Sequence, residues 1–411
     1  MKSVTSFFVS FFLITAPAIA DDLRSTVLRN AAIEAGFLPS SQTRPPIKRP
    51  LADLGKLAFE SRLMSIGQDI ACSTCHLDRF GSGDGLANAV GIGGAGAGKA
   101  RAQSGGRVIP RNTLPFWGRG GIGFDTFFWD GKVSGRGKVL RSQFGPDAPS
   151  TDPLVISAML PPVEIDEMVG DIGHLTTETF ETAQTLYDEI IRNLASDKTI
   201  SEAAETAFGV PAKDLEFVNF AEAIAEFLRF NFAVQDTRFH RFVFGDGELN
   251  DNEIAGGLIF YGKGRCSQCH NGPYFSDLDF HAIPSPNSMF GKNGFGVDLG
   301  RFNVTNNPDE LAKFRTPPLY NVTKTAPYGH SGAFEHLSDV IIAHSDPLAV
   351  LDMREIGAVQ RQGIYQQLRL WAGEPVAESI LVDVEIAQLV SFLGTLEYQS
   401  RLDIVSPNLA D

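Results

Sequence analysis

Cys72-Ser73-Thr74-Cys75-His76 and Cys266-Ser267-Gln268-Cys269-His270 contain all four cysteines of the chain. Each stretch is a Cys-x-x-Cys-His, the attachment pattern of a c-type haem. The two thiols add across the vinyl groups of the macrocycle, and the adjacent histidine reaches the iron as proximal ligand. A redox dithiol belongs after a strand in a βαβ unit; both copies instead follow helix-like stretches. A zinc site sharing all four thiolates would leave His76 and His270 without a role. Two covalently bound haems use every residue of both motifs.

The surroundings of the motifs repeat as well. Leu54-Gly55-Lys56-Leu57-Ala58-Phe59 precedes the first and Gly257-Leu258-Ile259-Phe260 the second, each reading as a short helix that delivers the chain to a haem. The expected fold is mainly α: two cytochrome c-like haem domains with long irregular loops and few short strands. Further helices are expected over 177–196, 213–232 and 383–397. In the second of these, Phe217, Phe220, Ile224, Phe227 and Leu228 recur at helical spacing and mark a buried face. Residues 81–106 hold ten glycines and almost no large apolar side chain, and residues 144–163 hold five prolines; both read as loops. Long loops in a compact protein are often functional. The pattern divides the chain into an N-terminal haem domain, 21–234, and a C-terminal haem domain, 235–411, whose tail packs back on the first.

Residues 1–20 read as a cleavable secretory signal: Lys2 at the start, an apolar stretch over 7–15, and Ala18-Ile19-Ala20 as the small-x-small site. Export to the periplasm suits a protein that acquires c-type haem. The formal net charge is −14, which argues against nucleic-acid binding. An acidic surface suits steering of a basic electron-transfer partner.

The chain resembles the bacterial dihaem cytochrome c peroxidase and MauG family. The resemblance rests on both haem motifs and on Arg111-Asn112-Thr113-Leu114-Pro115, Phe128-Trp129-Asp130-Gly131-Lys132 and Glu167-Met168. Phe314-Arg315-Thr316-Pro317-Pro318-Leu319-Tyr320-Asn321-Val322 and Thr325-Ala326-Pro327-Tyr328-Gly329-His330-Ser331-Gly332 complete it, all in order from about 50 to about 397. It implies an oxidoreductase that reduces hydrogen peroxide with electrons from a small c-type cytochrome or copper protein. It equally admits a MauG-type oxidase acting on a protein tryptophan or tyrosine. A non-catalytic electron-transfer cytochrome is the third class. A homodimer is common in the family.

The resemblance assigns roles residue by residue. His76 is proximal ligand of the first haem. Many relatives cap its other face with a histidine from the following loop, but Leu77 to Val108 contains no histidine, methionine or tyrosine, and the next histidine is His174. The first haem is therefore expected to be open. Glu167, directly before Met168, corresponds to the family's proton-transfer glutamate; Glu164, in a Pro-x-Glu pattern, competes for the same role. Gln143 is the candidate for a pocket glutamine. Trp129 matches the tryptophan between the two haems, while Trp117 and Trp371 read as packing residues. Asn112, Thr325 and Pro327 correspond to oxygen ligands of one interfacial Ca2+.

At the second haem, His270 is proximal. The family's cap lies 14 positions after the histidine of the Pro-Tyr-x-His segment; counting from His330 reaches His344. The second haem is expected to be bis-histidine, with Met353 as the rival cap. A methionine cap raises haem potential, and its loss removes that bias. Such a pair is expected to share oxidising equivalents across Trp129. His240, His281 and His336 read as surface or structural residues, with contact to a haem propionate as the alternative for His281.

Overall fold

The computed structural model describes residues 16–137, 139–170, 179–286 and 297–398. Most of the expected leader, together with His174, lies outside them. The architecture is helical, with long connections and only short strands among the described residues. The longer helices are α1 (Ala16–Glu34), α2 (Arg49–Glu60), α3 (Pro153–Met159), α4 (Phe180–Ser196), α5 (Lys198–Phe208), α6 (Phe217–Asn231), α7 (Arg238–Phe244), α8 (Asp251–Tyr261), α9 (Leu337–Ser345), α10 (Ala358–Trp371) and α11 (Asp383–Leu393). Two antiparallel pairs complete the regular structure: β1 (Thr126–Phe127) with β2 (Val133–Ser134), and β3 (Phe280–His281) with β4 (Phe314–Arg315).

Local chemistry fixes where these helices begin. Thr179 accepts from Thr182 N–H to start α4, and Asp197 accepts from Ile200 N–H to start α5. At α8 the side chains of Asn250 and Glu253 cap each other's backbone N–H groups at 3.0 and 2.9 Å. The α6 stripe expected from the sequence is buried in full: Phe217, Phe220, Ile224, Phe227 and Leu228 all lie in the core. Each such side chain contributes about 1.5–3 kcal/mol on burial.

The repeat around the two motifs has a structural counterpart. Helix α2 precedes the first motif and crosses α6; α8 precedes the second and crosses α11. Both crossings turn on a glycine. A Cβ on Gly55 would lie 1.9 Å from Ala223 O, and one on Gly256 would lie 1.9 Å from Gln388 O. Four residues on, Phe59 and Phe260 occupy matching buried positions. Backbone therefore meets backbone at each crossing, and the next turn of each helix faces a haem motif.

The two halves interlock at their ends. Helix α1 packs on α7 and α8, so residues 23–34, assigned from sequence to the N-terminal unit, lie against the C-terminal helices. In return, Tyr398 at the end of the described chain packs on Trp117, ring centroids 4.4 Å apart, and its N–H donates to Asn321 Oδ1 at 2.9 Å. No described helix is long and apolar enough to cross a membrane.

Gly55→Ala and Gly256→Ala provide a test of the crossings. Helix propensity alone would stabilise either variant by up to about 1 kcal/mol. Overpacking against a fixed backbone carbonyl costs about 1–3 kcal/mol or more. Both variants are expected to melt below the parent in denaturant titrations of the haem-loaded protein; unchanged or raised midpoints contradict the close crossing.

Candidate haem sites

Cys72–Cys75 form a single helical turn, steadied by Thr74 Oγ1 accepting from Ala71 N–H at 3.0 Å. The chain then turns back through Ser82 and Gly83, where Leu77 N–H donates to Gly83 O at 2.9 Å. That turn brings Ser82 O to His76, whose Nδ1 donates to it at 2.8 Å. The His76 ring stacks on Phe116, centroids 3.8 Å apart. Burial lowers the His76 pKa to about 3, so the ring is neutral. With Nδ1–H committed to a carbonyl, Nε2 carries the lone pair that a metal requires. The cavity at this motif has a volume of about 440 Å3 and is lined by Cys72, Cys75, His76, Trp129, Glu164 and Glu167, among others.

The glycine-rich loop is irregular, as its composition predicts, but it is tied down. Arg101 is buried, and its guanidinium donates to Val90 O at 2.7 Å, Gly94 O at 2.8 Å and Gly91 O at 2.6 Å. Gly91 in turn abuts the turn that carries the glutamates: a Cβ there would lie 1.9 Å from Asp166 O. That turn, Ile165–Val169, is a single π-helical turn, a geometry that recurs at functional sites. It places Glu164 and Glu167 in one cavity wall. Lys132 Nζ donates to Glu164 Oε1 at 2.6 Å and sits 4.5 Å from the Phe128 ring centroid. Gln143, expected in the pocket, does not line it. Its neighbour Phe144 is buried against Phe180, which anchors this stretch to α4 instead.

The second motif repeats the proximal geometry. His270 Nδ1 donates to Phe275 O at 2.9 Å. Across a cavity of about 230 Å3 stands His344, on α9, with Nδ1 donating to Val340 O at 2.7 Å. Burial lowers the pKa of His270 to about 4 and shifts His344 in the same direction. The two rings are 6.5 Å apart between centroids. Two metal–imidazole bonds of about 2.0–2.1 Å, collinear through one metal, would set centroids roughly 6.4 Å apart. Met353 does not line this cavity; it packs beside Phe334, Leu351 and Ile364. Both ring nitrogens of His281 are engaged by carboxylates, Asp277 at 3.0 Å and Glu374 at 2.6 Å, which leaves neither for the alternative propionate contact.

Trp129 is the one residue shared by the walls of both cavities among the described residues. Its indole Nε1 donates to Asn112 O at 2.9 Å. The next residue, Asp130, is fully buried and accepts from Arg111 Nη1 at 2.6 Å; the same guanidinium grips Asp298 at 2.6 and 2.9 Å. Arg301 Nη1 donates to the carbonyls of Asp130 and Gly131, and Arg315 N–H to Trp129 O at 2.8 Å. Phe128, directly before, adopts a left-handed φ of 66°, a strained conformation for a non-glycine residue. The Asn112 amide Nδ2 lies 2.8 Å from Leu86 O and 3.1 Å from Pro327 O, so those two carbonyls converge on it. Thr325 donates its hydroxyl to Val322 O.

Each cavity thus pairs two unbridged thiols with an imidazole whose Nε2 remains available, the donor set that a c-type haem needs. Residues 49–248 match the family model for di-haem cytochrome c peroxidase. The chain is 28% identical to the cytochrome c551 peroxidase of Pseudomonas aeruginosa over 302 residues, 72% of each chain. It is 26% identical to the methylamine utilization protein MauG of Methylorubrum extorquens over 393 residues, covering 93% of this chain and 87% of MauG. The chain belongs to the di-haem cytochrome c peroxidase family. The fold agrees: a MauG-like protein associated with microbial copper homeostasis superimposes with a TM-score of 0.63 at 22% identity, over 88% of this chain and 92% of the other. The diheme peroxidase BthA of Burkholderia thailandensis gives the same TM-score at 19% identity, over 88% and 89%.

Family membership implies two c-type haems. Sequence reasoning found the residues that carry the motifs but not those that brace them. Lys132 beside Glu164 and Asp298 beside Arg111 join positions far apart in the chain, and the Arg101 fork closes its own loop. Only charge at buried positions could have signalled them.

The Arg111 cluster yields a stability prediction. Burial raises the Asp298 pKa, but Arg111 outweighs that and holds the carboxyl below its ordinary 3.8. A depressed carboxylate pKa contributes stability that is present above the unfolded value and lost as pH falls through the folded one. The bridge should therefore persist until pH drops below 3.8. Arg111→Met leaves two buried carboxylates without their cation and should cost about 3–5 kcal/mol in denaturant unfolding at pH 7. A loss under about 1 kcal/mol, the range of exposed pairs, would show that the bridge is not the brace described.

Proposed function

We propose that the chain is a periplasmic dihaem peroxidase, exported by a leader over 1–20. It reduces hydrogen peroxide at the haem held by Cys72, Cys75 and His76, with electrons from a small donor protein passing through the haem held by Cys266, Cys269, His270 and His344. The observation that supports this is the inequality of the cavities. Two histidines face each other across the second, whereas His76 is the only described histidine lining the first. When bound, a haem held by Cys72, Cys75 and His76 would supply an iron for peroxide reduction, and one held by Cys266, Cys269, His270 and His344 an iron for electron exchange.

The chain's own residues supply orientation and protons. Ser82 O and Phe116 fix the His76 ring so that Nε2 faces the cavity. Met168 lines the cavity but is packed into the core, and Lys132 is tied to Glu164, so neither is assigned as a cap. Peroxide cleavage needs a proton carried from one oxygen to the other. Glu167 is assigned that step from its place in the cavity wall directly before Met168, while Glu164 is the carboxylate that Lys132 binds. Trp129, in both walls, is the relay for electrons between the sites. Overall, one peroxide takes up two protons and two electrons and leaves as two waters. Asn112, Thr325 and Pro327 are assigned to one Ca2+ through oxygen atoms, with the Asn112 amide turned so that Oδ1 rather than Nδ2 meets the carbonyls.

A second reading is a MauG-type oxidase drawing electrons from a protein tryptophan or tyrosine. The histidine at 344, in place of a potential-raising methionine, favours it. Fast turnover of peroxide with a reduced small cytochrome supports the peroxidase; slow turnover with a long-lived oxidised protein supports the oxidase.

Low-temperature EPR of the ferric protein should show one high-spin and one low-spin haem, and two low-spin signals contradict the open site. His344→Ala should convert the low-spin signal to a high-spin or weakly ligated one. Glu167→Gln should lower peroxide turnover by about 10²–10⁴-fold, and Glu164→Gln by less; the reverse order transfers the proton role to Glu164.

A further inference from the structure

Buried Arg101 donates to three carbonyls, and nearly buried Arg111 to two carboxylates. Arg119 and Arg315 are different. Arg119 is 6% exposed and lines the His76 cavity, its guanidinium 4.9 Å from the centroid of Phe116, the ring stacked on His76. Its Nε and Nη2 are buried without a hydrogen-bond partner. Arg315 is 1% exposed and lines the His270–His344 cavity. Its Nε donates to Phe128 O at 2.9 Å and its Nη1 to Thr316 O at 3.3 Å, but Nη2 is buried with no partner. Neither forms a salt bridge with a carboxylate among the described residues.

A guanidinium does not shed its proton in a protein, and a buried charge without a counter-ion costs several kcal/mol. The two also repel each other: burial and Arg315 together push Arg119 down to about 9. Two such cations, one in each cavity wall, call for an anion in each cavity. A c-type haem is anchored through its vinyl groups and brings two carboxylate side chains with it. We propose that Arg119 holds a carboxylate side chain of the haem attached at Cys72 and Cys75, and Arg315 one of the haem attached at Cys266 and Cys269. The assignment rests on the two-haem reading and adds its anionic ends. Arg315 also donates its backbone N–H to Trp129 O at 2.8 Å, so its pair would sit beside the bridging tryptophan. Each guanidinium offsets a negative charge that would otherwise favour the oxidised iron, so each raises the potential of its own haem.

The test uses the full-length holoprotein with Arg119→Gln and Arg315→Gln. Intact mass first establishes two covalent haems; their absence from the parent overturns the two-haem reading rather than the arginine assignment. Potentiometric titration followed by EPR then resolves the two haems. Arg119→Gln is expected to lower the midpoint of the haem on His76 by a factor of about ten or more in its reduction equilibrium, about 59 mV for one electron. The other haem should move less, and Arg315→Gln should show the mirror pattern. Two loaded variants with unshifted potentials, or with the wrong haem shifted, overturn the proposal. Redox-difference infrared spectra of the parent, with and without isotope-labelled arginine, cover a variant that fails to load. A label-sensitive guanidinium band is expected, and its absence overturns the assignment.

Discussion

A single guanidinium holds the centre of this molecule together. Arg111 bonds Asp130 on one side and Asp298 on the other, all three buried or nearly so. Asp130 is joined in sequence to Trp129, and Asp298 belongs to the C-terminal half, so the cluster fixes the tryptophan against both halves at once. In the interior this arrangement is all or nothing. A complete network is satisfied, but removal of one member takes a hydrogen-bonded counter-charge from the buried groups that remain. The backbone follows the same logic. Arg301 takes the carbonyls after Trp129, Arg315 takes those at and before it, and Phe128 accepts a left-handed φ to meet them. Strain at 128 is tolerable because donors on both sides over-determine the segment.

That constraint explains how two similar units can be unequal without losing their relation. Both use a helix with a glycine crossing, a Cys-x-x-Cys-His turn and a histidine whose Nδ1 is spent on a backbone carbonyl. They diverge in what stands across the cavity. At the second motif, α9 carries His344 into place, its Nδ1 spent on Val340 O in the same manner. At the first, the corresponding space is bordered by a glycine-rich loop and a π-helical turn with two carboxylates. Glycine is needed there for proximity: at Gly91 the loop backbone comes so close to Asp166 O that no side chain fits. A wall built this way presents Glu164, Glu167 and Met168 to the cavity, with no second described histidine.

Much of this was legible in the sequence. Both Cys-x-x-Cys-His motifs line cavities, the α6 stripe was readable from its period, and counting from His330 reaches the residue that stands across a cavity from His270. These signals are local, or depend on one spacing carried by one helix. The failures share a different origin. Gln143 was placed by its distance from a Gly-Pro pair, but Phe144 beside it packs against Phe180 and anchors that stretch elsewhere. Residues 23–34 belong in sequence to the first unit and in space to the second. In each case a long-range contact overrode the local pattern, and one sequence alone carries no record of such contacts.

The buried arginines extend this argument from fold to cofactor. An arginine paired with a carboxylate is complete when the chain folds, as at Arg111. Arg119 and Arg315 have donors left over after folding, in the walls of cavities that the motifs assign to haem. The protein alone pays the desolvation cost of those charges, so the apo chain is destabilised at the points where the cofactor brings charge of opposite sign. On that reading haem attachment contributes more than hydrophobic filling of two cavities. It neutralises a pair of like charges on either side of Trp129, and the same interaction that completes the fold sets how readily each iron accepts an electron.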